Sequence, residues 1–216
     1  MTEEDWTACG DPHRMLFFLG EAMGKRKAGR RKIRLLLAAC CRQTWHCFAD
    51  PRGRGLIEAS ESYADGLLSY RDFRQAWDGV FEAHVGGAEG AHLACMASHY
   101  QIWAAARDGW PRPLAGESLL KAPEKAQLAR DIFGPLPFRR VTAGSRVRTG
   151  EVRALAETAY TERALPSGHL DATRLAVLSD ALEEAGCTEG AILDHLRGPG
   201  PHVRGCWAVD VVLGRE

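Results

Sequence analysis

The chain has 216 residues, 45% apolar and 26% charged, which fits one domain or two small ones and is ordinary for a globular protein. Its 28 Lys plus Arg balance 28 Asp plus Glu, so no global field steers it to nucleic acid or a membrane surface. Seven scattered cysteines exclude a disulfide framework, no apolar run nears the roughly 18 residues of a membrane span, and the acidic start Met1-Thr-Glu-Glu-Asp5 is unlike a signal peptide, so a cytoplasmic location is expected.

In chain order, Asp11-Pro12 is a cap followed by proline at the first helical position, opening a helix with Met15, Leu16, Phe18 and Leu19 that Gly24 ends. A second helix is expected from about Arg30 to Phe48, with Ile33, Leu36, Leu37, Cys40, Thr44 and Cys47 in one arc. Asp50-Pro51 repeats the start signal ahead of Ile57 and Tyr63. Ser69-Tyr-Arg-Asp72 resembles a capping box before Phe73, Trp77 and Phe81. Gly86-Gly87 breaks the chain, and a helix follows over 88–107, closed by Pro111 and Pro113.

Pro123 starts the next helix, which carries Leu128, Ile132 and Phe133. Residues 134–148, rich in Pro, Gly and Arg, read as a connection between an N-terminal lobe (1–133) and a C-terminal lobe (149–216). Thr149 caps a helix with Val152, Leu155 and Tyr160. Asp171 caps another, with Leu175, Leu178 and Leu182, and Gly186 stands where a left-handed residue ends it. Thr188 opens a short helix that ends near Arg197. The Val-rich run 208–213 lacks a partner strand and reads as a buried terminal helix. The expected fold is all-α, an irregular bundle of about eight to nine helices with the last packed back on the others.

The tail from His195 to Asp210 holds two His, two Arg, Cys206 and Trp207 around Gly198-Pro-Gly-Pro201. Its prolines lack amide donors and force an elbow, with Gly200 as N-cap and Pro201 as first residue of a helix. On such a helix Val203, Cys206, Trp207 and Asp210 share one face. A buried Asp210 would need a partner from Arg197, Arg204 or Arg174, giving a clasp. Arg197, His202, Arg204, Trp207 and Asp210 are therefore the expected binding residues. His202 and Cys206, four apart, are the weaker catalytic pairing, an imidazole beside a thiol.

Ala181-Leu-Glu-Glu-Ala-Gly-Cys187 followed by Arg197-Gly-Pro-Gly-Pro-His-Val-Arg-Gly-Cys-Trp207 resembles a large uncharacterised family of bacterial helical proteins. Further matching pieces are Arg34-Leu35, Cys40-Cys-Arg42 with Trp45, Tyr63-Ala-Asp-Gly66 and Arg130-Asp-Ile-Phe-Gly134. The family often has Gly-Asn-Pro-Phe-Arg-Pro where this chain has Gly134-Pro-Leu-Pro-Phe-Arg139. The resemblance implies a helical fold and carries over no activity. The absence of Asn and the preference for Arg over Lys agree with a bacterial source of high GC content.

Two further clusters carry chemistry. His92, Cys95 and His99 would span an arc of about 60° on a helix, suiting zinc with a fourth donor from His84, Cys206 or water. Met96, Tyr100 and Trp103 border the same stripe, so it equally reads as the edge of a core. Residues 25–34 hold seven basic side chains in ten, and Lys25, Arg26, Lys27, Arg30, Arg31 and Lys32 form an anion or nucleic-acid candidate at a helix start. No aromatic interleaves them, which argues against base stacking. Cys40 reads as a small buried apolar residue.

Neither a zinc-protease nor a nucleophile-elbow motif occurs. The first functional reading is therefore a non-enzymatic protein that binds another macromolecule, another protein first. The second is a metal- or thiol-dependent site where the tail meets the His92 helix, with zinc as the ion. The third is nucleic-acid binding through residues 25–34.

Overall fold

A computed structural model describes residues 1–48, 50–85 and 120–215. Helices are the regular elements among these residues, ten in number, as the all-α reading requires. None is long and apolar enough to cross a membrane. The helix expected over 88–107, and His92, Cys95 and His99 with it, lies outside the described residues. The chain divides into two compact units, Met1–Ala129 and Arg130–Glu216.

The first unit begins with α1 (Glu3–Ala8), which the sequence reading did not anticipate although Thr2 and Asp5 form a reciprocal capping box. Helix α2 (Pro12–Met23) is capped by Asp11, whose carboxylate accepts the amides of His13 and Arg14. Helix α3 (Lys27–Gln43) starts earlier than expected and yields to a 3-10 turn at Trp45–Cys47 instead of continuing to Phe48. Helices α4 (Pro51–Ala64) and α5 (Tyr70–Val85) follow their cap signals. Met15, Leu16, Leu19, Ile33, Leu36, Leu56, Ile57 and Phe73 fill the core.

Helix α3 also buries charge. Arg42 binds Glu61 of α4 through two hydrogen bonds of 2.6 and 2.8 Å, both partners buried. Arg34 lies over Tyr63 and Phe73, whose rings stack 4.8 Å apart. Burial pushes its guanidinium down to about 10. Arg31 pairs with Asp65 at 2.7 Å, and Lys32 is buried. The basic segment is thus split. Arg31, Lys32 and Arg34 serve the unit's interior, while Lys25, Arg26, Lys27 and Arg30 stay exposed.

Helix α6 (Ala122–Phe133) carries the boundary between the units. In the second unit, α7 (Gly150–Thr161) is capped by Thr149 and α8 (Ala172–Glu184) by Asp171. The end of α8 is a Schellman motif. Gly186 sits at φ +88°, with Cys187 N–H on the Leu182 carbonyl and Gly186 N–H on the Glu183 carbonyl. Helix α9 (Gly190–Arg197) starts two residues after Thr188. Residues 134–148, read as a connection, place Val141, Ala143 and Val147 in this unit's core.

The tail departs from expectation at the elbow. Residues 201–206 are not helical, and α10 spans only Trp207–Leu213, with Cys206 as its N-cap. The reason lies in where the backbone groups go. Leu170 N–H donates to the His202 carbonyl, Val203 N–H donates to Asp131, and Gly200 and Gly205 take φ +78° and +92°. Those partners and torsions exclude a helical ladder. The run 208–213 is nonetheless helical and packs on α7 and α9.

Candidate metal centre

Asp131 lies in the last turn of α6, His195 in the last turn of α9, His202 just beyond the elbow, and Cys206 at the start of α10. One ligand atom from each falls within 4.8 Å of all the others. Asp131 Oδ1 is 3.0 Å from His195 Nε2 and 2.9 Å from His202 Nδ1. His195 Nε2 is also 3.3 Å from Cys206 Sγ. Asp131, His202 and Cys206 are buried and His195 is partly exposed. This group can hold a metal ion.

Three of the four donors are oriented by a neighbour behind them. His202 Nε2 donates to the Gly198 carbonyl at 3.1 Å, and because a carbonyl only accepts, that nitrogen carries the proton. Nδ1 is left facing the cluster. Val203 N–H donates to Asp131 Oδ2 at 2.8 Å, which turns the other oxygen inward. The two imidazoles meet edge to face at 4.8 Å, and Trp207 covers His195 with ring centres 5.1 Å apart. Gly134, at φ +49°, lies so close to the Trp207 indole that a Cβ there would run into the ring. Outer-shell partners of this kind fix tautomer and aim in metal sites.

The charges agree with a tightly matched cluster. Burial would raise the Asp131 carboxyl, but hydrogen bonds from His195 and His202, with their charge, hold it below its ordinary value. Burial would likewise lower His202, yet the Asp131 carboxylate and the Gly198 carbonyl lift it above. The Cys206 thiol is pushed well up by burial and by Asp131, against the opposing backbone amides of Val209 and Ala208.

Two kinds of chemistry compete for this arrangement. A thiol relay needs the base to take the proton on one ring nitrogen and be oriented through the other. Here His195 presents the same Nε2 to both Asp131 and Cys206, and His202 has both nitrogens engaged elsewhere. A raised thiol adds to the mismatch. A metal fits better. Tetrahedral zinc with its usual Zn–N, Zn–O and Zn–S lengths spaces its donors by roughly 3.3–3.6 Å. The separations of 2.9, 3.0 and 3.3 Å must open slightly, and the wider ones, up to 4.8 Å, must close, for one ion to be shared by all four.

The remaining expected residues take other places. Arg197 pairs at the surface with Asp180 and Glu183, Arg174 pairs with Glu162, and Arg204 lies over Tyr160. Arg197 and Arg174 are thus occupied away from Asp210, which is fully buried, as is Trp207. His202 and Cys206 do share a site, though it is His195 that touches the thiol. The sequence reading missed Asp131 and His195 as donors. One signal was available, since an aspartate in a helix's last turn opposes the macrodipole and needs a partner from elsewhere.

Comparison of the chain with family models, curated proteins and solved structures gives no match.

Proposed function

We propose that the chain is a metal-stabilised, non-enzymatic helical binding protein whose second unit is closed by one zinc ion on Asp131, His195, His202 and Cys206. The observation that supports this is the convergence of four protein donors of zinc-binding type, three of them held from behind by a backbone group or a packed ring. Catalytic zinc sites keep a position open for water or substrate, whereas four protein donors make a closed, structural one. Such an ion adds its binding energy to folding and makes the tail a rigid platform for a macromolecular partner.

Metal content is the direct test. Protein purified without a histidine tag after zinc-supplemented expression is expected to hold about one equivalent of zinc. Cobalt substitution should give visible bands of a tetrahedral site with a thiolate charge-transfer band that Cys206→Ser removes. Less than about a tenth of an equivalent, with no cobalt spectrum, would overturn the proposal.

A further inference from the structure

The second unit contains eleven arginines and no lysine, and five of those arginines fall between 139 and 153, against one acid, Glu151. The unit's core explains how they are displayed. Val141, Ala143, Val147 and Val152 are buried, and the residues between them are driven outward. Arg139, Arg140, Arg146 and Arg153 are exposed and Arg148 is half-buried. Among the described residues, Arg140, Arg146, Arg148 and Arg153 have no carboxylate partner. Arg174, Arg197 and Arg215, by contrast, are paired with carboxylates.

We infer that this anchored stretch is a docking surface for the phosphate backbone of a duplex nucleic acid. It rests on the binding reading above and names its partner, but it does not require the metal. Guanidinium groups grip phosphate and carboxylate oxygens alike in a two-pronged fashion, and two further features select phosphodiester over an acidic protein. Thr142 and Ser145 are exposed between the arginines, adding the hydroxyl donors typical of phosphate contacts. No apolar side chain from 139 to 149 is exposed, so the stretch lacks the buried core that protein interfaces require. The stretch also lacks an exposed aromatic, which points to paired strands over stacked single-stranded bases. This surface differs from residues 25–34, whose basic side chains are partly spent inside the first unit.

Fluorescence anisotropy with the full chain and a short labelled duplex, in DNA and RNA forms, tests the inference. Four phosphate contacts predict an affinity loss on the order of 100-fold between about 50 and 200 mM salt. The triple variant Arg140→Gln, Arg146→Gln, Arg148→Gln should bind far more weakly and keep only a dependence of roughly 3-fold over that range. Its circular dichroism and urea midpoint should match the parent's, which separates loss of the surface from loss of the fold. Replacing Lys25, Arg26, Lys27 and Arg30 by Gln should leave duplex binding nearly intact. Absence of duplex binding at low salt, equal binding by the triple variant, or preference for poly-glutamate over both duplexes would each overturn the inference. Duplex binding by protein that holds no metal would sustain it while removing the zinc reading.

Discussion

Asp131 accepts from three donors at once, two imidazoles and one backbone amide. Asp131→Asn keeps the shape but replaces an ionised acceptor with a neutral group, so both imidazoles lose a charged hydrogen-bond partner. Metal affinity should fall by more than the roughly 10–100-fold that outer-shell partners cost, and the metal-free protein should lose about 1.5–3 kcal/mol. Competition titration with a chelator and urea unfolding read the two effects. At Gly134 the argument is steric. An alanine would need a positive φ and would drive its Cβ into Trp207, so Gly134→Ala should destabilise by roughly 1–3 kcal/mol. Unfolding that matches the parent would mean the indole moves aside.

At the scale of elements, the cap signals and the apolar arcs of α2, α4, α7 and α8 place those helices almost to the residue. Local chemistry decides them, since each needs an acceptor at one end and a buried stripe along its length. Helix α3 is different. Its basic start reads as an anion or nucleic-acid candidate, yet Lys32 and Arg34 are buried, as is Arg42 in the last turn, and α4 and α5 bring Glu61, Tyr63 and Phe73 to meet two of the three. Removing one member of the buried Arg42–Glu61 pair leaves the other uncompensated, so Glu61→Met should cost about 3–5 kcal/mol. The double variant Arg42→Met with Glu61→Met should recover most of that loss. Denaturant midpoints of the four proteins form the cycle, and additive losses would contradict it.

For the whole molecule, metal removal should lower the thermal midpoint and reverse the pH dependence of stability in the near-neutral range. In the metal-free protein His202 has a raised pKa. Its contribution is therefore fully present below the unfolded value of about 6.5 and is lost as pH climbs through the folded one. Asp131 is lowered, so its contribution is present above the ordinary carboxyl value and lost as pH falls through the folded one. With metal bound, protons compete for the same ligands, and stability should rise with pH over the range where the metal-free protein weakens. Urea unfolding across that range with and without chelator checks the crossover. Parallel curves would speak against an ion on these four residues.

The sequence by itself determined the helical class, most helix starts, and a tail that packs back with Trp207 buried. These follow from neighbours in the chain, which caps, prolines and periodicity record directly. Only the tertiary structure decided that Pro201–Cys206 is not helical and that Cys206 meets His195 rather than His202. It also brought Asp131, 64 residues before His195, into the cluster. Periodicity says which side of an element faces inward but carries no information about which distant element faces back, and a coordination site is made of such encounters.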